Sequence, residues 1–168
     1  MCRHSSTWKA FRRSLVRLLR NKPTAEQVWL LLTQNRWLQG KLGTLKLSPL
    51  ALTECCFQLT HSVVCLSAET IATWPAREFL HMVANHARAA RSFASSFEAV
   101  SEPRDLNVRL RAQRMVDFLP KQQRAVLTLH LKRLSLTESA EALRLSTYAT
   151  YSIWREGTQA LSKIISAS

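Results

Sequence analysis

Residues 134–146 read Leu-Ser-Leu-Thr-Glu-Ser-Ala-Glu-Ala-Leu-Arg-Leu-Ser, and this stretch decides the fold expected of the chain. Ser135 and Glu138 have the spacing of a capping box. The Ser135 hydroxyl accepts from the Glu138 amide, and the Glu138 carboxylate accepts in return from the Ser135 amide. Leu136, Ala140 and Leu143 then share one face of a short helix ending near Arg144, which is read as continuing in helical conformation there. Ser146 caps the next helix. At about 100° per residue, Ala149, Thr150, Ile153, Gly157, Ala160, Leu161 and Ile164 fall on its inner side. Thr147, Tyr148, Tyr151, Ser152 and Arg155 fall opposite. The small Ala140 and Ala149 let the two helices cross closely and steeply, so the pair is expected to form a helix-turn-helix.

The outward set suits DNA. Ser146, Thr147, Tyr148, Tyr151, Ser152 and Arg155 offer hydroxyls for phosphates and a guanidinium for phosphate or guanine. The competing reading is that Tyr148, Tyr151 and Trp154 pack on another helix or on another subunit.

Upstream of this pair, an amphipathic helix is expected over Leu106–Phe118, and another over Pro120–Leu134, opened by a proline whose missing N–H costs nothing at a first position. Residues Ser92–Arg104 mix serines, Pro103 and acids and read as a linker. Before the linker, a helix is expected from Ala25 to about Leu42. Ser48-Pro49 opens a further helix through Leu52, Cys55, Cys56, Leu59 and Val63, and Thr73-Trp74-Pro75 opens one to Arg91. Only 3 Gly and 5 Pro among 168 residues fit an all-helical chain with short connections. The expected architecture is all-α: a basic arm over 1–24, a helical domain over 25–92, a linker over 93–105, and a helix-turn-helix domain over 106–168.

The net charge of +13 points to a polyanionic partner, nucleic acid or an anionic membrane. More than half of the excess lies in residues 1–25, which hold Lys/Arg but no acid. Phe11, Leu15, Leu18 and Leu19 fall on one helical face of this arm, with Arg12, Arg13, Arg17 and Arg20 mostly elsewhere. That pattern fits an organellar transit peptide, a membrane-surface helix, or a basic helix packed on the body, and these three readings stay open.

The sequence argues against catalysis. Cys2, Cys55, Cys56 and Cys65 form no C-x-x-C pair, and adjacent Cys55 and Cys56 in an apolar run read as small buried residues in a reducing compartment. His4, His61, His81, His86 and His130 lack metal-ligand spacing. There is no G-x-S-x-G, no glycine-rich phosphate loop and no paired carboxylates at an apolar site. No apolar run reaches the ~20 residues of a membrane span. An enzyme, a cofactor and a small-molecule substrate are not expected.

Residues 106–165 resemble the promoter-binding C-terminal domain of bacterial sigma factors. The resemblance is carried by Leu119-Pro120, Arg124, Val126 and Leu129, by Leu134-Ser135, Glu138, Ala140, Leu143 and Leu145-Ser146, and by Leu161. The N-terminal half resembles the core-polymerase-binding domain of the extracytoplasmic-function group, nearest its iron-starvation subgroup. Here the matching residues are Trp37-Leu38, Lys41-Leu42-Gly43, Ala51-Leu52, Cys56-Phe57, Leu59 and Pro75-Ala76-Arg77-Glu78-Phe79-Leu80, then Val83-Ala84-Asn85.

The resemblance implies that Leu52, Glu54, Phe57 and Leu59 contact the polymerase clamp. It also implies that Asn85 or His86 meets the melted promoter element; Arg88 and Arg91 stand beside His86 on a face whose charge suits DNA. The chain departs from the family in having only Glu54 as an acid between Ser48 and Val64, Arg144 in place of a turn glycine, and Glu156-Gly157 in place of Arg-Ala.

The implied function is a cytoplasmic sigma factor whose partners are promoter DNA, core RNA polymerase and an anti-sigma factor. The alternatives are a sigma-like interaction protein that binds polymerase or an anti-sigma factor without initiating transcription, and a helix-turn-helix regulator.

Overall fold

The computed structural model describes residues 7–101 and 106–167, with the side chains of 98–101, 106–109, 112, 165 and 166 left out. Its described residues form ten α-helices and no strand. The fold is all-α. The chain divides into two compact units, Met1–Ser101 and Glu102–Ser168.

The first unit begins with α1 (Trp8–Arg20), where the Thr7 hydroxyl accepts from the Ala10 amide and Arg17 and Arg20 occupy the last turn. There the two cations face the negative end of the helix dipole. A capping box at Thr24 and Gln27 opens α2 (Ala25–Gln34). Asn35 then leaves helical geometry (ψ 120°) and its side chain accepts from the Leu38 amide, starting α3 (Arg36–Thr44). The helix expected over 25–42 is therefore two helices, because an Asn that caps the next turn outcompetes continuation.

Ser48 and Pro49 open α4 (Pro49–Val64) as expected. Ser67 caps the short α5 (Ala68–Thr73), an element the sequence reading did not contain. The last helix of the unit, α6, runs Ala76–Ser101 and so passes through the first part of the expected linker. Buried Phe79, Val83, Ala87, Ala90 and Ala94 repeat at three- and four-residue steps, which holds the serine-rich stretch against the body.

In this unit α4 packs on α6 and α2, and α1 packs on α5. Trp8, Phe11, Trp37 and Phe79 form one aromatic cluster, with centroids 5.2 to 6.3 Å apart. Buried Leu15 and Leu19 extend it along α1. The Trp8 indole N–H and an Arg12 guanidinium N–H both donate to the Trp74 carbonyl, at 3.2 and 3.1 Å. Trp8–Arg20 of the basic arm is thus a core helix of the first unit, and residue 24 lies within that unit.

The second unit comprises α7 (Leu106–Val116), α8 (Lys121–Leu131), α9 (Leu136–Leu143) and α10 (Thr147–Ala167). Both α8 and α9 end in a left-handed residue, Arg133 (φ 64°) and Arg144 (φ 54°). In each case the next amide reaches back five residues, from Leu134 to the Leu129 carbonyl and from Leu145 to the Ala140 carbonyl. These are Schellman closures, which satisfy carbonyls that the helix end leaves free. Gly157 lets α10 lie against α8, since a Cβ there would stand 2.9 Å from Leu127 Cδ1 and 3.3 Å from Gln123 Cβ. Among the described residues, no helix is long and apolar enough to cross a membrane.

Candidate nucleic-acid interface

The stretch 134–146 builds the start of α10 from local hydrogen bonds. The Ser135 hydroxyl accepts from the Glu138 amide at 3.2 Å and the Glu138 carboxylate accepts from the Ser135 amide at 2.7 Å. That second bond lowers the Glu138 pKa below the ordinary carboxylate value. Arg144 does not remain helical as expected. It takes the left-handed conformation (φ 54°) that closes α9, three residues before α10 starts. Ser146 then caps α10, its hydroxyl accepting from the Ala149 amide at 3.1 Å.

The inner face of α10 differs from the expected one. Thr150, Tyr151, Trp154, Gly157 and Thr158 are buried, whereas Ala149, Ile153, Ala160 and Leu161 are half-buried. Tyr151, expected on the DNA side, is 3% exposed and stacks on Trp154 with centroids 5.4 Å apart. Trp154 in turn meets His130 of α8 edge-on at 5.6 Å. The helix turns this way because two aromatic side chains bury far more apolar area than the small residues that set the expected face. The accessible strip at the start of α10 consists of half-buried Thr147, Tyr148, Ser152 and Arg155, followed by exposed Glu156, Gln159 and Lys163.

In the first unit, Asn85, Arg88 and Arg91 of α6 are exposed. Arg91 donates to the Leu45 carbonyl, tying α6 to the end of α3. His86 is turned inward instead of toward a ligand. Its Nδ1 lies 3.2 Å from Gln58 Oε1 and its Nε2 lies 2.8 Å from the Ser62 hydroxyl. An amide oxygen only accepts, so Nδ1 carries the proton and Nε2 takes the serine hydrogen. Gln58 Nε2 passes the chain on to the Glu54 carboxylate at 2.8 Å. Burial lowers the His86 pKa, and the ring is neutral near pH 7.

The residues expected to contact polymerase belong largely to the core. Glu54 and Leu59 are both 0% exposed, Phe57 is buried, and Leu52 alone is half-buried. A helix sandwiched between α2 and α6 has too little free surface for its apolar positions to serve a partner. Phe57 and Leu59 are therefore core residues and not the apolar docking surface expected around Leu52, Phe57 and Leu59.

Cys55 and Cys56 are buried free thiols. Burial, with added repulsion from Cys56 and Glu54 that Arg91 only partly offsets, pushes the Cys55 pKa up to about 12. Burial raises Cys56 to about 11 against a lowering hydrogen bond from Gln39. Neither thiol is ionised at neutral pH, so neither is a nucleophile. No group of three or more His, Cys, Asp and Glu side chains among the described residues stands together to hold a metal ion.

One basic feature had no assigned role in the sequence reading. Lys9, Arg13, Arg17 and Arg20 of α1 are all exposed, at steps of four, four and three residues. The spacing was visible in the sequence, but without a known partner for the apolar face it did not distinguish a solvent-facing stripe from a membrane helix. No protein-family model matches the chain, and neither a curated protein nor a solved structure matches it significantly.

Proposed function

We propose that the chain is a diverged sigma-type transcription factor of the cytoplasm, whose residues 106–168 dock on promoter DNA through a helix-turn-helix formed by α9 and α10. The observation that carries this reading is the turn at 144–146. A capped short helix, a left-handed reversal at Arg144 and a serine-capped second helix leave Thr147, Tyr148, Ser152 and Arg155 accessible at the start of α10. Hydroxyls and a guanidinium at a helix N-terminus are suited to phosphates and base edges. Exposed Asn85, Arg88 and Arg91 on α6 are the first unit's contribution to promoter contact in this reading.

The burial of Glu54 favours a second reading, a sigma-like protein that binds DNA or an anti-sigma factor without recruiting polymerase, since α4 then offers the clamp no acid. Run-off transcription with purified core polymerase separates the two. Promoter-dependent transcripts support initiation. Specific DNA binding without polymerase association supports the second reading, and failure to bind either DNA or polymerase removes the first.

A further inference from the structure

We propose that α1 carries a second site for a nucleic-acid phosphate backbone, formed by Lys9, Arg13, Arg17 and Arg20. These cations line a surface groove of about 570 Å³ that runs along α1 beside Ala72 of α5. Arg12 also lines it, but its guanidinium is engaged with the Trp74 carbonyl. No acidic residue lines the groove. The site lies in the first unit and does not depend on promoter reading by α10.

Three observations select the ligand. First, the stripe crowds like charges at helical neighbour spacing, where they repel, and a polyanion relieves that repulsion. Second, Lys9 to Arg20 spans eleven residues, or about 16 Å of helix axis. A duplex strand carries a phosphate about every 3.4 Å of axis, so about five phosphates face the stripe over that length. Third, the apolar face that a membrane-surface helix inserts among lipids is already occupied. Phe11, Leu15 and Leu19 are buried in the unit's own core, with Phe11 against Trp37 and Phe79. The helix therefore offers charge in a groove and no apolar wedge, which fits a phosphate backbone better than a bilayer.

The test titrates the full chain against a fluorescein-labelled DNA duplex of arbitrary sequence over a series of salt concentrations. Each neutralised phosphate adds about 0.9 to the log–log salt slope. Replacing all four residues together (Lys9→Gln, Arg13→Gln, Arg17→Gln, Arg20→Gln) should flatten the slope by three to four, by about 0.9 for each of four phosphates. The set Arg13→Lys, Arg17→Lys, Arg20→Lys should retain the wild-type slope. Circular dichroism checks the fold, and Arg13→Gln with Arg20→Gln reads about half the effect should the fourfold variant not fold. An unchanged slope in the neutral variants overturns the proposal. So does the converse pattern, in which those variants lose binding to phosphatidylserine-containing vesicles but keep their duplex affinity and slope; that result assigns the stripe to anionic lipid.

Discussion

Arg144 holds φ 54° at the reversal between α9 and α10. A non-glycine residue in that region carries a cost of about 1–2 kcal/mol from Cβ crowding, while glycine loses about 0.5–1 kcal/mol of extra backbone entropy on folding. Arg144→Gly should therefore stabilise the second unit by about 0.5–1 kcal/mol, the difference between those terms. Chemical denaturation of the full chain measures it, and a loss of stability would contradict the strain argument. Tyr151 and Arg155 lie four residues apart, yet they should behave oppositely. Tyr151→Ala removes a buried ring stacked on Trp154 and should cost about 3 kcal/mol or more, as other large aromatic truncations do. Arg155→Ala should cost clearly less stability than Tyr151→Ala and, on the promoter-docking reading, flatten the salt slope of DNA binding by about one. Equal stability losses in the two variants would show that the accessible strip of α10 is wrongly drawn.

Between α4 and α6 the chain Ser62–His86–Gln58–Glu54 joins two packed helices whose Leu59, Val63, Val83 and Ala87 are buried. His86 binds its proton less readily when folded than its ordinary value of 6.5 implies. The folded state thus prefers the neutral ring. The contribution is fully present above that ordinary value and is lost as the pH falls through the lower folded value, where the unfolded chain binds the extra proton. His86→Gln should be less sensitive to acidification over this window in chemical denaturation at stepped pH. Parallel curves for wild type and variant would remove His86 from the acid response.

At this scale the sequence was legible at several helix starts, though the caps at Asn35 and Ser67 were missed. The caps at Ser48, Ser135 and Ser146 are where the hydroxyl residues placed them, because capping is a contact over three residues. Helix ends were less legible. The stretch 92–101 has a linker's composition, yet it stays helical because Ala90 and Ala94 continue the buried spacing of α6.

The first unit closes its own core. Phe11 from α1, Trp37 from α3 and Phe79 from α6 meet although they are far apart in sequence. Residues 1–101 alone should therefore unfold cooperatively in a thermal melt followed by circular dichroism, whereas residues 25–101 should not. Losing Phe11, Leu15 and Leu19 forfeits about 1.5–3 kcal/mol for each buried side chain, comparable with the whole stability of about 5–15 kcal/mol typical of a domain. A cooperative melt from 25–101 would return α1 to the status of an appendage. By itself the sequence determined the all-α class, the helix starts at Ser48, Ser135 and Ser146 and the capped stretch 134–146, since each rests on composition or on residues within one or two turns of each other. Only the tertiary structure decided which way each helix faces. It held Glu54 and His86 in the hydrogen-bonded chain between α4 and α6. It sent Tyr151 and Leu59 inward and left the α1 cations outside, because side chains from distant elements compete for one limited apolar interior and the largest apolar areas win it.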